Sequence, residues 1–282
     1  MSALRRPILL LLPGGLVFFL LFVLPMAGLF VESLKFFTPG TIGSSADAPW
    51  TLANYGEMIS ASFAGFLWET IRISLVASLA GIALGLPLAY WMVRSLSTAG
   101  RSAMIGMLVT LIFLSILVRA YALELTFDLS GILRPILLLL QISPNGHGFI
   151  ATLVTMGLLH YIIPMAALTL LAAVQNVNPA LIDAAQSLGA PAWKAHATIT
   201  LPLCARGLTA AFLFAFTFSI SAFVIPMILG KGRVLFISNL IYNRFSETAN
   251  YPSGAAISIV LLGLAFAMLY LVSAQASRRF GA

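Results

Sequence analysis

Across 282 residues, 61% of the side chains are hydrophobic and only 8% are charged, whereas a soluble domain carries about 25% charged residues and cannot bury this much apolar surface in one core. That excludes a soluble globular protein and predicts an integral membrane protein. The net charge of +7 comes from Lys and Arg scattered at the ends of apolar runs, so lipid headgroups are the expected contact and nucleic acid is not; the one cysteine, Cys204, excludes an intrachain disulfide and a cysteine-built metal site.

A hydrocarbon slab roughly 30 Å thick needs about 20 apolar residues per helix. Six windows answer to this in chain order: 7–31, 73–93, 102–118, 149–174, 207–229 and 254–276. The runs are continuous rather than alternating, which predicts helices and not barrel strands. The expected fold class is all-α, a polytopic membrane protein with six transmembrane helices. Arg5 and Arg6 before the first run resemble a signal peptide, but the run is about twice a typical signal core and no small-x-small cleavage site is evident, so it is expected to stay as a span. The division expected is 1–48, a first span with an external loop, and 49–282, a core of five spans that includes the loop 175–206. Segments 38–56 and 143–148, rich in Gly, Pro, Ser and Asn, read as exposed loops.

With six spans both termini share one side with the loops around 94–101 and 175–206. Arg5, Arg6, Arg94, Arg101, Lys194, Arg206, Arg278 and Arg279 fall there against one acid, Asp183. The short Arg clusters beside the spans favour cytoplasmic termini. The run ILRPILLLLQI (132–142) would reverse this as a seventh span; it is short and holds Arg134 and Pro135, so a short helix or re-entrant segment is expected.

Polar groups within or beside spans are costly and are therefore candidates for a solute path. Glu69 and Arg72 share a helix face and can pair, either as an interfacial ion pair or as part of the passage. Arg119, Tyr121, Glu124 and Asp128 are expected after the third span on the external side; the acids suit a cationic solute, and snorkelling with loop solvation accounts for them equally. His160, Tyr161 and Pro164 lie mid-span, where the proline frees a carbonyl and bends the helix, as packing or as path. Phe223 and Pro226 end the fifth span as gate candidates.

No catalytic residues are expected. There is no phosphate loop, since GKGR (230–233) lacks the leading glycine and the hydroxyl residue. His147, His160 and His196 lie in separate segments without metal-ligand spacing, so no metal is expected. No nucleophile elbow or Cys-His arrangement appears.

The stretch DAAQSLGAPAWKAHATITLP (183–202) is a polar-leaning island. Asn178 and Pro179 are a helix start, Gly189 suits a left-handed C-terminal cap, and Pro191 can open a second short helix that Pro202 interrupts. The expected result is a helical hairpin. Its apolar residues need either lipid headgroups or a partner surface.

Asp183-Ala184-Ala185, Gly189, Ile199, Leu201 and Pro202 fit the pattern E-A-A-x3-G-x9-I-x-L-P, with Asp for Glu. The island thus resembles the EAA loop of ABC-importer permeases. WTLANYGEM (50–58), ETIRISLVASLAGIALGLPLAYWMVR (69–94), LVRAYALEL (117–125) and SAFVIPMILGKG with SNLIYNRFSETANYPSGAAIS (221–258) resemble the subfamily that imports spermidine and putrescine, with opine, phosphonate and ferric-ion relatives. The resemblance implies a bacterial inner-membrane permease subunit working with a second permease, two ATPase subunits that bind ATP and Mg, and an external solute-binding protein. It implies that the loop docks in a groove of the ATPase, with Gly189 setting the turn, Ala184 and Ala185 allowing close approach, and Asp183 pairing across the interface or capping locally. It makes a polyamine the expected solute, with an opine, an aminophosphonate or ferric ion as alternatives. The competing class is an ion-coupled secondary transporter, against which the uncharged interiors of the second, fifth and sixth spans stand.

Overall fold

Apolar stretches that can satisfy their backbone only through their own carbonyls close into helices, and the elements here follow that rule. The computed structural model describes residues 5–45, 47–128, 131–141 and 143–280. Among them the only extended pairing is a bridge between Lys35 and Trp50. The chain divides into two compact units, one of residues 1–65 and 240–264, the other of 66–239 and 265–282.

The first unit opens with α1 (Arg5–Phe18), a π turn and α2 (Leu24–Ser33) in succession. The 12–33 stretch exposes nearly all of its apolar side chains within the chain, as a lipid-facing span does. The loop that follows, read as exposed, is pinned by side chains. Asn54, on the short α3 (Ala53–Gly56), donates to the carbonyls of Ser33 and Lys35 at 2.8 and 2.9 Å, and Glu32 accepts from the amide and hydroxyl of Ser44 at 3.0 and 2.8 Å. Glu57 in turn accepts from Arg244 at 3.0 Å and from Ser253 at 2.9 Å.

The second unit holds most of α4 (Ala61–Arg94), then α5 (Thr98–Phe113), α6 (Ile116–Phe127), α7 (Arg134–Leu139) and α8 (His147–Gln175). After these come α9 (Pro179–Ser187), α10 (Ala192–Ala195), α11 (Leu201–Leu203), α12 (Ala205–Ile220) and α13 (Val224–Leu229). The chain closes with α14 (Ile237–Tyr242) and α15 (Tyr251–Phe280). Ile73, Ala77, Leu123, Val154, Leu158, Ile162, Ala215, Ile225 and Phe236 form one buried cluster of this unit, and Ala89, Leu170, Val174, Cys204 and Ala211 another. Small residues let α4 and α8 approach closely. A Cβ on Gly85 would lie 2.9 Å from the Cβ of Ala166 and 3.1 Å from the amide nitrogen of Ala167.

Among the described residues four helices are long and apolar enough to span a membrane, and counting each of two bent pairs as one span raises the number to six at most. Two expected spans are corrected in shape. The window 102–118 is not one straight helix: α5 stops at Leu114, and α6 leaves at 86° to it. Neither proline nor glycine marks that break; α6 turns so that Arg119, Ala120 and Leu123 are buried. The window 207–229 breaks after Ile220 because Pro226 has no N–H to give to the carbonyl of Ala222. The hydroxyl of Ser238 takes that carbonyl at 2.6 Å, and Asn239 takes the carbonyl of Phe223 at 3.1 Å. The 132–142 run yields only the six residues of α7 as helix, short as expected; Ile142 lies outside the described residues.

Candidate coupling hairpin and solute path

The island of residues 178–203 is a helical hairpin whose outgoing helix, α9, has both ends fixed by local chemistry. The side chain of Asn178 accepts from the amide of Ala180 at 3.0 Å, with Pro179 opening α9. At the other end Gly189 has φ +88°, its N–H donates to the carbonyl of Gln186 at 2.9 Å, and the N–H of Ala190 donates to Ala185 at 3.0 Å. This pair of bonds is a Schellman cap, which requires the left-handed residue. Replacing Asn178 with alanine is expected to cost about 1 kcal/mol of local helix stability, read as faster amide exchange confined to the first turn of α9.

The return arm departs from expectation at its end. Pro191 caps α10, a π turn spans His196–Thr200, and the N–H of Leu201 reaches back five residues to the carbonyl of His196. The helical path thereby passes through Pro202 instead of stopping there, and it breaks at Cys204 with a 75° bend into α12.

All seven residues of the motif thus lie on this one hairpin, with two distinct faces. Ile182, Ala195 and Thr200 are buried, whereas Asp183 and Ala184 are exposed and Ala185 and Ile199 half-buried. Leu188 is 90% exposed, Trp193 72% and Leu201 41%, and Pro202 is exposed too. Two large apolar side chains at the tip exceed what a solvated turn needs. Among the described residues the carboxylate of Asp183 makes no local cap and no ion pair; it is Asn178 that caps the helix.

A contact that the sequence did not reveal sits at the hairpin's base. Arg94, the last residue of α4, donates through Nη2 to the carbonyl of Val174 at 3.3 Å and to that of Val177. It thus caps the carbonyl end of α8, where a cation is favoured. Its guanidinium lies 5.8 Å from the ring of Tyr90, and Tyr90 meets His196 edge-on at 4.8 Å. Nδ1 of His196 is 3.1 Å from the hydroxyl of Thr200. Read from sequence, Arg94 was only one of several arginines flanking spans.

The solute-path candidates are split among separate contacts. Arg72 donates to both oxygens of Glu69, at 3.1 and 2.8 Å, and Nε2 of His147 lies 3.1 Å from the same carboxylate. Asp128 pairs with Lys231, a residue at φ +48°, and Arg233 donates to the carbonyl of Asn145 at 2.6 Å. These bonds tie the Gly-Lys-Gly turn to its neighbours.

Arg119 was expected beside Tyr121 and Glu124 in an external loop, and that expectation is corrected. It lies on α6 and is 7% exposed, and its Nη1 donates to the carbonyl of His160 at 3.3 Å. That carbonyl is the one Pro164 leaves without a helical donor, since Pro164 follows four residues later and has no N–H. The guanidinium lies 5.8 Å from the ring of Tyr161, which stacks on Phe218 at 4.0 Å. Arg119 and His160 share a pocket of about 360 Å³ with Leu111, Leu114, Val118 and Leu123. Tyr121 is exposed and Glu124 half-buried on the same helix, and neither lines the pocket; Phe223 precedes α13 half-buried, with Pro226 buried inside it. Among the described residues no three His, Cys, Asp or Glu side chains gather to hold a metal.

Residues 77–280 match the family model described as binding-protein-dependent transport system inner membrane component. The chain is similar to the spermidine/putrescine transport system permease protein PotB of Haemophilus influenzae, 27% identical over 262 residues that cover 92% of this chain and 90% of that one. It is 28% identical to the protein of the same name in Escherichia coli over 231 residues, 81% of this chain and 83% of that one. Among solved structures, a bacterial alginate ABC transporter in complex with an alginate pentasaccharide-bound periplasmic protein has a chain of like fold, with a TM-score of 0.75 at 18% identity over 100% of this chain and 98% of that one.

Proposed function

Since the chain belongs to the binding-protein-dependent transport system inner membrane component family, as a multi-pass transport component and not an enzyme, we propose that its hairpin of residues 178–203 is where a separate ATPase drives it. The observation that carries this reading is a hairpin whose outgoing helix α9 is capped at both ends and which holds Leu188 and Trp193 outward. A capped lever transmits a rotation that a floppy loop would absorb. The termini and the hairpin face the cytoplasm. Two ATPase subunits carry ATP and Mg, a second permease completes the solute path, and an external binding protein delivers the solute. Transport proceeds by alternating access.

The solute is a polyamine such as spermidine or putrescine, a reading supported by the names of the relatives. The buried Arg119 beside a pocket favours a second reading, a solute that also bears an anionic group, as an opine or aminophosphonate does. The assembled importer in vesicles is expected to accumulate labelled spermidine only with ATP and the binding protein, and excess opine is expected not to compete. ATP-dependent uptake of labelled opine with no uptake of spermidine would reverse the order of the two readings.

A further inference from the structure

The unassigned feature that carries furthest is the junction at the cytoplasmic end of α4. We infer that Arg94 and Tyr90 are positioning residues that pass the hairpin's motion to α4. This rests on the reading of the hairpin as the ATPase contact.

The hairpin leaves α8 at Val177 and returns through His196. Both points are held by residues four apart on the last turn of α4, so they share one helix face. Arg94 bonds the carbonyls of Val174 and Val177 at the root of the outgoing arm, and Tyr90 touches His196 on the return arm at 4.8 Å. The guanidinium and the ring also face each other at 5.8 Å, so the two grips form one unit.

The two grips differ in stiffness. Arg94 makes directional, charge-assisted bonds to carbonyls at a helix end, which resist sliding. The Tyr90–His196 contact borders a pocket of about 360 Å³ lined also by Leu86, Pro87, Trp91 and Leu201. That space lets the return arm swing against α4 while the outgoing arm stays strapped. A push on Leu188 and Trp193 then becomes a rotation about the Arg94 strap, and α4 is the element that turns.

The test uses the complete importer reconstituted in vesicles, with labelled spermidine uptake and ATP hydrolysis measured together. Arg94→Gln is expected to retain the co-purifying ATPase yet lower the solute moved per ATP hydrolysed at least tenfold, and Arg94→Lys, which keeps the charge, to recover most of it. Tyr90→Leu is expected to lower the same ratio and Tyr90→Phe to leave it, which decides the matter if Arg94→Gln does not accumulate. Unchanged ratios in Arg94→Gln and Tyr90→Leu, or uptake and ATPase association falling in parallel in both, would overturn the inference. Absence of an ATPase from the wild-type preparation would instead overturn the reading of the hairpin itself.

Discussion

Gly189→Pro is expected to reduce solute uptake to background and to remove the ATPase from the purified permease, while the chain still inserts and accumulates. The backbone at Gly189 sits at φ +88°, a value closed to proline, whose ring fixes φ near −65°. Proline also lacks the N–H that reaches Gln186 at 2.9 Å. A misfit of about 3 kcal/mol lowers the population of the native turn by roughly a hundredfold. Nothing lies within 4 Å of the position a Cβ would take, so the requirement for glycine is one of backbone angle alone. Gly189→Ala, which meets only the left-handed penalty of about 1–2 kcal/mol, is expected to keep partial uptake. Full uptake by Gly189→Pro would show that the hairpin's turn does not matter to coupling.

Gly85→Val is expected to act on a different level, by prising α4 from α8. Its nearest obstacles are the Cβ of Ala166 and the amide nitrogen of Ala167, at 2.9 and 3.1 Å, so no flexible side chain is there to move aside. Overpacking of this kind costs about 1–3 kcal/mol, and between spans there is no apolar gain to offset it. The unfolding midpoint of the detergent-solubilised protein is expected to fall by roughly 5 °C. Gly106→Ala, with open space around it, is expected to leave the midpoint close to wild type. Equal midpoints for both variants would contradict the close approach of the two helices.

What the sequence made legible follows from how local each signal is. Hydrophobic run length located the four long spanning helices and the neighbourhood of the two bent pairs, because burial of backbone in lipid leaves few alternatives. Asn178, Pro179 and Gly189 announced the two ends of α9 because caps are written in adjacent residues. The break between α5 and α6 was silent: residues 113–116 read Phe-Leu-Ser-Ile, and the cause is the packing of Arg119 and Leu123 inward. The break at 221–223 was half-written in Pro226, but the group that takes the freed carbonyl of Ala222, the hydroxyl of Ser238, lies further along the chain. Arg119 was misplaced for the same reason. Its partner carbonyl at His160 is 41 residues away, and only Pro164 hinted that such a carbonyl would need a donor. Arg94 looked like one more interfacial arginine until its bonds to Val174 and Val177 were seen.

The placement of the hairpin on the cytoplasmic side is tested most directly by labelling a single cysteine at its tip. In a Cys204→Ala background, Leu188→Cys is expected to resist a membrane-impermeant maleimide in intact cells. It is expected to react in inside-out vesicles and to be shielded there when the ATPase is bound. Reaction from outside intact cells would contradict the account.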